Sequence, residues 1–130
     1  MPNKAYFGEL NANLAIRHGS IATIIGGATR DVECVSNLDY PIFSKSYSPL
    51  DIKGYGTLDS INEKITLDGI TISPGDYAIG DMNGIVIIPK EIVYEVIDLA
   101  LQTIEKEMNV KINIIRGMRG IEIPDVTGNF

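Results

Sequence analysis

Arg30 and Asp31 lie side by side after an apolar run and two glycines, in the segment Ile24-Ile25-Gly26-Gly27-Ala28-Thr29-Arg30-Asp31. A strand that leads through a glycine-rich turn into a helix presents unpaired backbone N–H groups at the helix start. An arginine there adds a planar fork of donors for a carboxylate or phosphate, and an aspartate adds an oxygen ligand that suits Mg²⁺. A plain helix N-cap at Asp31 and a solvated turn residue at Arg30 explain these eight residues slightly better on their own.

Glu9, which follows Gly8, adds a second carboxylate at a spacing that the fold can bring to the same place. Apolar residues at helical spacing predict a helix over Glu9–Arg17, and residues 21–25 are typical of a buried strand. A helix and a returning strand bring both loops to the same sheet edge, where ligands of open α/β sheets bind. Glu9, Arg30 and Asp31 are therefore candidates to surround one site with two carboxylates and one guanidinium.

The elements after Asp31 predict a βαβ unit. We expect a short helix over residues 31–38 and a second strand at Ile42-Phe43, which makes the two strands parallel. We expect residues 44–60 to form a long loop, which in a domain of this size is usually functional or at an interface.

Turn residues dominate the second half of the chain. Asp68-Gly69 and Asn83-Gly84 each join two short apolar runs and predict β-hairpins. The longest helix is expected to open near Pro89 and to end near Ile115, with an apolar face that includes Leu99 and Ile104. An extended tail through Phe130 follows, and the whole chain, residues 1–130, is interpreted as one domain.

The first helix has no strand before it in this interpretation, because residues 1–8 are expected to form an entering loop. A helix that enters a parallel sheet normally follows a strand. We therefore expect either an unusually small domain or a sheet edge completed by another chain.

Composition excludes several classes of function. The net charge is −6 and no Lys/Arg cluster is present, so neither nucleic acid nor an anionic membrane is an expected partner. Cys34 is the only cysteine, which excludes an intrachain disulfide, and its neighbours predict a small buried hydrophobe rather than a nucleophile. The short polar N-terminus has no features of a signal peptide, so a cytoplasmic location is expected.

Read as an ordered series, these motifs resemble the RraA-like proteins. That family includes 4-hydroxy-4-methyl-2-oxoglutarate aldolases, oxaloacetate decarboxylases and the regulator of ribonuclease activity A. The matches cover most of residues 5–91 and are Gly8-Glu9-Leu10, the Gly-Gly-Ala-Thr-Arg-Asp run ending at Asp31, Tyr40-Pro41-Ile42-Phe43, Gly69 with Pro74-Gly75-Asp76, and Asp81 with Asn83-Gly84-Ile85-Val86-Ile87-Ile88-Pro89.

The resemblance implies a swivelling-domain-like α/β sandwich with a βαβ unit, antiparallel hairpins and a long C-terminal helix. It implies a homotrimer or dimer of trimers with active sites at subunit contacts. It also implies a lyase that depends on Mg²⁺ or Mn²⁺ and cleaves a C–C bond of a 2-oxo acid through a pyruvate enolate.

The resemblance also implies residue roles. Backbone groups of Gly8, Glu9, Leu10 and Asn11 and the side chain of Arg30 would bind substrate. Asp31 would hold the metal, and the acid at Glu9 would act through a water on the metal.

Two departures from the family pattern keep alternatives open. The position of Glu9 is commonly aspartate in the enzymes, and family members carry a substantial segment, including strands, before the residue matching Gly8. The alternatives are a non-catalytic regulator that binds a ribonuclease and an inactive, truncated subunit. Retention of Glu9 with Arg30-Asp31 favours the enzyme.

Overall fold

A three-stranded parallel sheet carries the candidate residues in the computed structural model, which describes residues 3–120 and 123. Its strands are β1 (Ala5–Phe7), β2 (Thr23–Thr29) and β3 (Ile42–Tyr47), in the order β1-β2-β3 with both pairs parallel. Helix α1 (Glu9–Arg17) connects β1 to β2, and α2 (Val32–Ser36) connects β2 to β3. The predicted mixed α/β class and the βαβ unit are confirmed.

Strand β1 corrects the expectation that the first helix lacks a preceding strand. Part of the expected entering loop, residues 5–7, forms this strand, which pairs with β2 through Ala5 and Phe7. Three residues are too few to show an alternating or continuous apolar pattern, so periodicity could not reveal β1.

The two glycines before Arg30 lie inside β2 and do not form a turn, which is a second correction. A Cβ on Gly26 would collide with the Leu67 side chain, and a Cβ on Gly27 would collide with the Tyr6 ring. Glycine here allows other residues to approach the strand closely. The pairing with β3 shifts register between Ile25 and Ala28, and the strand continues to Thr29.

Small residues form much of the core around this sheet. Ala12 is the buried residue of α1, whereas Leu10 and Leu14, which the helical pattern marked as the apolar face, are 76% and 54% exposed. Ala5 and Ala28 are also buried. The buried side of α1 is therefore the side that carries Ala12, where the small side chain allows the helix to pack closely.

The two predicted hairpins are present. β4 (Ile65–Leu67) and β5 (Ile70–Ile72) are antiparallel, and Asp68 and Gly69 between them have φ of 52° and 81°. β6 (Tyr77–Asp81) and β7 (Gly84–Ile88) form a second two-stranded sheet. Positive φ at both turn residues of the first hairpin matches the twist of its strands.

The described chain divides into two units. The first comprises the residues up to Pro74 together with Ala78–Ile87, and the second comprises Gly75–Tyr77 and the residues from Ile88. Within the second unit, α3 (Val93–Ile115) follows a short 3₁₀ turn. The single domain over residues 1–130 stays a prediction.

The C-terminal helix is present as predicted, but its apolar face is exposed. Val93 is its buried residue, whereas Leu99 and Ile104 are each 56% exposed. None of the described helices combines the length and apolar character needed to cross a membrane. The predicted extended tail lies largely outside the described residues.

Replacing Tyr40 by phenylalanine tests the packing between the starts of β2 and β3. The Tyr40 hydroxyl lies 2.7 Å from Ser20 Oγ and 2.5 Å from Thr23 Oγ1, and the residue is 5% exposed. We expect Tyr40→Phe to lower the free energy of unfolding by about 1–2 kcal/mol, because two part-buried hydrogen bonds, to Ser20 and Thr23, are lost. Urea unfolding measures this, and Tyr94→Phe, at an 81% exposed position, is the control. Equal losses in both variants would contradict the expectation.

Candidate functional site

The ends of β1 and β2 are joined at the carbonyl oxygen of Phe7. This oxygen accepts the backbone N–H of Arg30 at 2.9 Å and the Thr29 hydroxyl at 3.0 Å. Thr29 is 3% exposed, so its hydroxyl is satisfied in a place that water reaches poorly. The residues after Phe7 and those after Thr29 therefore begin side by side at the carboxyl edge of the sheet.

Asp31 links the start of α1 to the end of β2. Its Oδ2 accepts the backbone N–H of Glu9 at 3.1 Å, which satisfies one of the unpaired donors in the first turn of α1. Asp31 occupies the N-cap position of α2 but makes no side-chain capping bond there. Its φ of 56° and ψ of 39° are left-handed, a conformation that costs a non-glycine residue about 1–3 kcal/mol and clusters at functional sites.

Gly8 permits this approach because it has no side chain. A Cβ at this position would lie 2.5 Å from Asp31 Oδ2 and 2.9 Å from Arg30 Cγ. Its φ of −159° is extended backbone that any residue adopts, so the constraint is space and not conformation. Gly8 therefore lies directly against the two candidate residues of the other loop.

Two carboxylates hold the Arg30 guanidinium. Nη1 lies 2.5 Å from Asp51 Oδ2, and Nε lies 3.6 Å from Asp31 Oδ2. The hydrogen bond and charge of Asp51 raise the pKa of Arg30, with a smaller contribution from Asp31. The hydrogen bond from Arg30 in turn lowers the pKa of Asp51. The site therefore keeps these charges at neutral pH.

Asp51 is a site residue that no sequence motif indicates. It lies in the long segment expected to be a functional loop, and only that length pointed to it. No motif or spacing relates an aspartate at this position to Arg30. The two residues meet because the segment after β3 passes to β1.

Cys34 corrects another expectation, since the cysteine predicted to be buried is exposed. The negative charge of Glu9 is the largest of the causes that raise the pKa of its thiol, and Asp31 and Glu33 contribute less. Glu9 therefore lies close to Cys34 at the start of α2. The raised pKa favours the protonated thiol. That Cys34 is not a nucleophile stays a prediction.

The remaining predicted residues continue into α1. Leu10 and Asn11 are exposed, and the structure brings Gly8, Glu9, Arg30 and Asp31 together. A cavity of about 350 Å³ opens beside Arg30 and Asp31 and is lined further by Val32, Tyr47, Ser48 and Pro49.

A divalent cation fits this donor set only in part. Among the described residues no cluster of three or more His, Cys, Asp or Glu side chains could hold a metal ion. The Asp31 carboxylate is 41% exposed, with Glu9 nearby. Mg²⁺ is commonly held by one or two carboxylates while waters and substrate fill its other positions, so Asp31 suits it.

A larger cavity of about 770 Å³ lies elsewhere in the first unit. It is lined by residues of β2 and β3, among them Ile24, Ile42 and Phe43, and by residues 67–68 and 80–85. Its cation, Lys45, is paired with Asp68. Asp81 also lines it and accepts the backbone N–H groups of Asn83 and Gly84. The smaller cavity is the candidate site because it lies beside Arg30 and Asp31.

Fold and site together define a class: an α/β domain with an arginine and carboxylates at the carboxyl edge of a parallel sheet. A family model described as RraA-like, Aldolase/RraA, matches residues 1–87. The chain belongs to the RraA-like family.

Proteins of similar sequence support this assignment to the family. An uncharacterized protein of Methanocaldococcus jannaschii is 37% identical over 109 residues, which are 84% of this chain and 50% of that protein. A protein of Halalkalibacterium halodurans, provisionally named 4-hydroxy-4-methyl-2-oxoglutarate aldolase, is 32% identical over 67% of this chain and 41% of its own length. The chain thus spans about half the length of the curated relatives it matches.

Solved structures confirm the fold. A protein from Pseudomonas syringae superposes with a TM-score of 0.87 at 28% identity, over 92% of this chain and 60% of that one. Streptomyces coelicolor RraAS2, described as an unusual member of the RNase ES inhibitor RraA family, has a TM-score of 0.79 at 21% identity, over 87% of this chain and 58% of its own.

Substitution of Glu9 tests the electrostatic arrangement of the site. Glu9→Gln removes the largest cause of the raised Cys34 pKa, so the thiolate fraction rises at a given pH. We expect alkylation of Cys34 by iodoacetamide at pH 8 to become at least about twofold faster. The rate is measured by mass spectrometry, and labelling is unambiguous because the chain has one cysteine.

Glu33→Gln is the matched control, because Glu33 is the smallest of the named causes. It makes the same change of charge and should accelerate alkylation less. Equal acceleration in the two variants would contradict the proximity of Glu9 to the thiol.

Proposed function

We propose that this chain is the catalytic part of a lyase that cleaves a C–C bond of a 2-oxo acid and releases pyruvate through its enolate. The candidate substrates are 4-hydroxy-4-methyl-2-oxoglutarate and oxaloacetate. The observation that carries the proposal is the Arg30 guanidinium held beside the Asp31 carboxylate at the start of α1. The aldolase names of relatives at about 30% identity support the same reaction class.

Arg30 would bind the negative charge of the substrate. The Asp51 contact uses Nη1, and among the described residues no hydrogen bond occupies Nη2. The first-turn N–H groups of Leu10 and Asn11 have no intrahelical acceptor and add donors at the same place. Cleavage leaves the bonding electron pair on the enolate, where a preformed arginine and helix terminus stabilise charge without reorganising.

Asp31 would hold the cation, and Glu9 would handle the proton. A bound Mg²⁺ supplies positive charge that stabilises the enolate oxygen as it forms. For the aldol substrate, the proton of the C4 hydroxyl must leave as the C3–C4 bond breaks, and the enolate must then gain a proton at C3. The backbone N–H of Glu9 donates to Asp31, which places this acid beside the proposed cation ligand, and we assign the transfer to the Glu9 carboxyl group.

We further propose that the chain assembles as a homotrimer or dimer of trimers with sites at the subunit contacts. This rests on the resemblance to the family. Light scattering that showed a stable monomer would contradict it.

Substitutions at Arg30 and Asp31 test the lyase. We expect the wild-type chain to release pyruvate from oxaloacetate or 4-hydroxy-4-methyl-2-oxoglutarate with Mg²⁺ and to stop when EDTA is added. Arg30→Lys keeps the charge but loses the fork, and Asp31→Asn keeps an acceptor for the Glu9 N–H but loses the charge. Each should lower kcat/KM about 100-fold or more, the loss expected for one oxyanion-stabilising group. A coupled lactate dehydrogenase assay measures pyruvate.

Arg17→Lys, at an exposed position in the last turn of α1, is the control and should retain full activity. No release of pyruvate by the wild-type chain, or full turnover by Arg30→Lys, would overturn the proposal. An inactive wild-type chain that binds a purified ribonuclease would instead favour the regulator.

A further inference from the structure

We propose that Asp51 is a positioning residue that orients the Arg30 guanidinium toward the anionic substrate. The inference rests on the proposed function of Arg30 and adds a residue that neither the sequence motifs nor the family resemblance singles out. Three observations carry it: the chain crossing that delivers Asp51, the turn that orients its carboxylate, and the contact with Arg30.

The backbone around Asp51 is fixed by the sheet. Residues 48–51, which we call the crossing segment, follow β3 and pass to β1. The N–H of Ser48 donates to Thr29 O at 3.0 Å, and Leu50 O accepts the N–H of Ala5 at 2.7 Å. Ala5 also forms a parallel bridge with Asp51. The crossing segment thus reaches both strands whose ends carry the site.

A local turn orients the Asp51 carboxylate. Oδ1 accepts the backbone N–H of Lys53 at 2.8 Å, which is the geometry by which aspartate closes an Asx turn. Oδ2 remains for Arg30 Nη1 at 2.5 Å. Each oxygen has one partner, so the Lys53 hydrogen bond orients the carboxylate for its contact with the arginine.

The contact determines orientation more than stability. The side chains of Arg30 and Asp51 are 37% and 49% exposed. Ion pairs this exposed contribute little to folding. Arginine side chains have high rotamer freedom, and a reacting group that is misplaced by about 1 Å can lose about 100-fold in rate. Holding Nη1 therefore affects how well the other guanidinium donors meet substrate.

Asp51→Asn is the decisive variant. Asparagine can keep the Lys53 bond through its oxygen, which leaves its NH₂ facing the arginine, where it cannot accept a hydrogen bond. We expect Asp51→Asn to raise KM and the dissociation constant of oxalate about tenfold each, with a smaller change in kcat. Asp51→Glu should not restore binding, because the longer side chain cannot keep both oxygens in place. Asp59→Asn, in the same exposed loop, is the charge-matched control.

An NMR measurement tests the positioning without turnover. In wild-type protein the ¹⁵N-detected guanidinium signals of Arg30, assigned by Arg30→Lys, should show slow rotation, and Asp51→Asn should make rotation fast. If the wild-type chain releases no pyruvate, the proposed function fails, and the NMR comparison still decides the role of Asp51. Unchanged Arg30 signals in Asp51→Asn, with or without a lower melting temperature, would overturn the inference.

Discussion

The site depends on two hydrogen bonds that the Phe7 carbonyl oxygen accepts. By accepting from both Arg30 and Thr29, this oxygen fixes the end of β1 against the end of β2. Each such hydrogen bond contributes only about 0.5–1.5 kcal/mol net, but leaving the buried Thr29 hydroxyl unpaired costs more than that average. These hydrogen bonds therefore fix the ends of β1 and β2 relative to each other beside the candidate site, although β1 has only three residues.

Close approach is the second consequence of that constraint. Once the two strand ends adjoin, Gly8 must face Asp31 and Arg30, and the absence of a Cβ allows the Asp31 carboxylate to reach the start of α1. The left-handed backbone at Asp31 is part of the same arrangement. The Asp31 carboxylate thus accepts one backbone N–H at the start of α1 and remains 41% exposed, so it is accessible to a cation.

Carboxylates outnumber the guanidinium within this small space. Arg30 lies between Asp31 and Asp51, and Glu9 adds a further acid beside Cys34. The raised pKa of the Cys34 thiol keeps it neutral, so it adds no further negative charge. The surplus of carboxylates over the guanidinium suits the proposed cation, and Arg30 suits the proposed anionic substrate, since each would then meet an opposite charge.

The sequence by itself determined the local elements and the chemistry-bearing pairs. Helix α1, the Asp68-Gly69 hairpin and the long C-terminal helix follow from periodicity and turn residues, which act over a few positions. The spacing from Glu9 to Arg30 indicated that both residues lie at the same edge of the sheet. Only the tertiary structure decided that Gly26 and Gly27 lie inside a strand, that β1 exists, and that Asp51 meets Arg30. These three depend on side chains and strands distant in the chain, whose contacts leave no pattern within a local window.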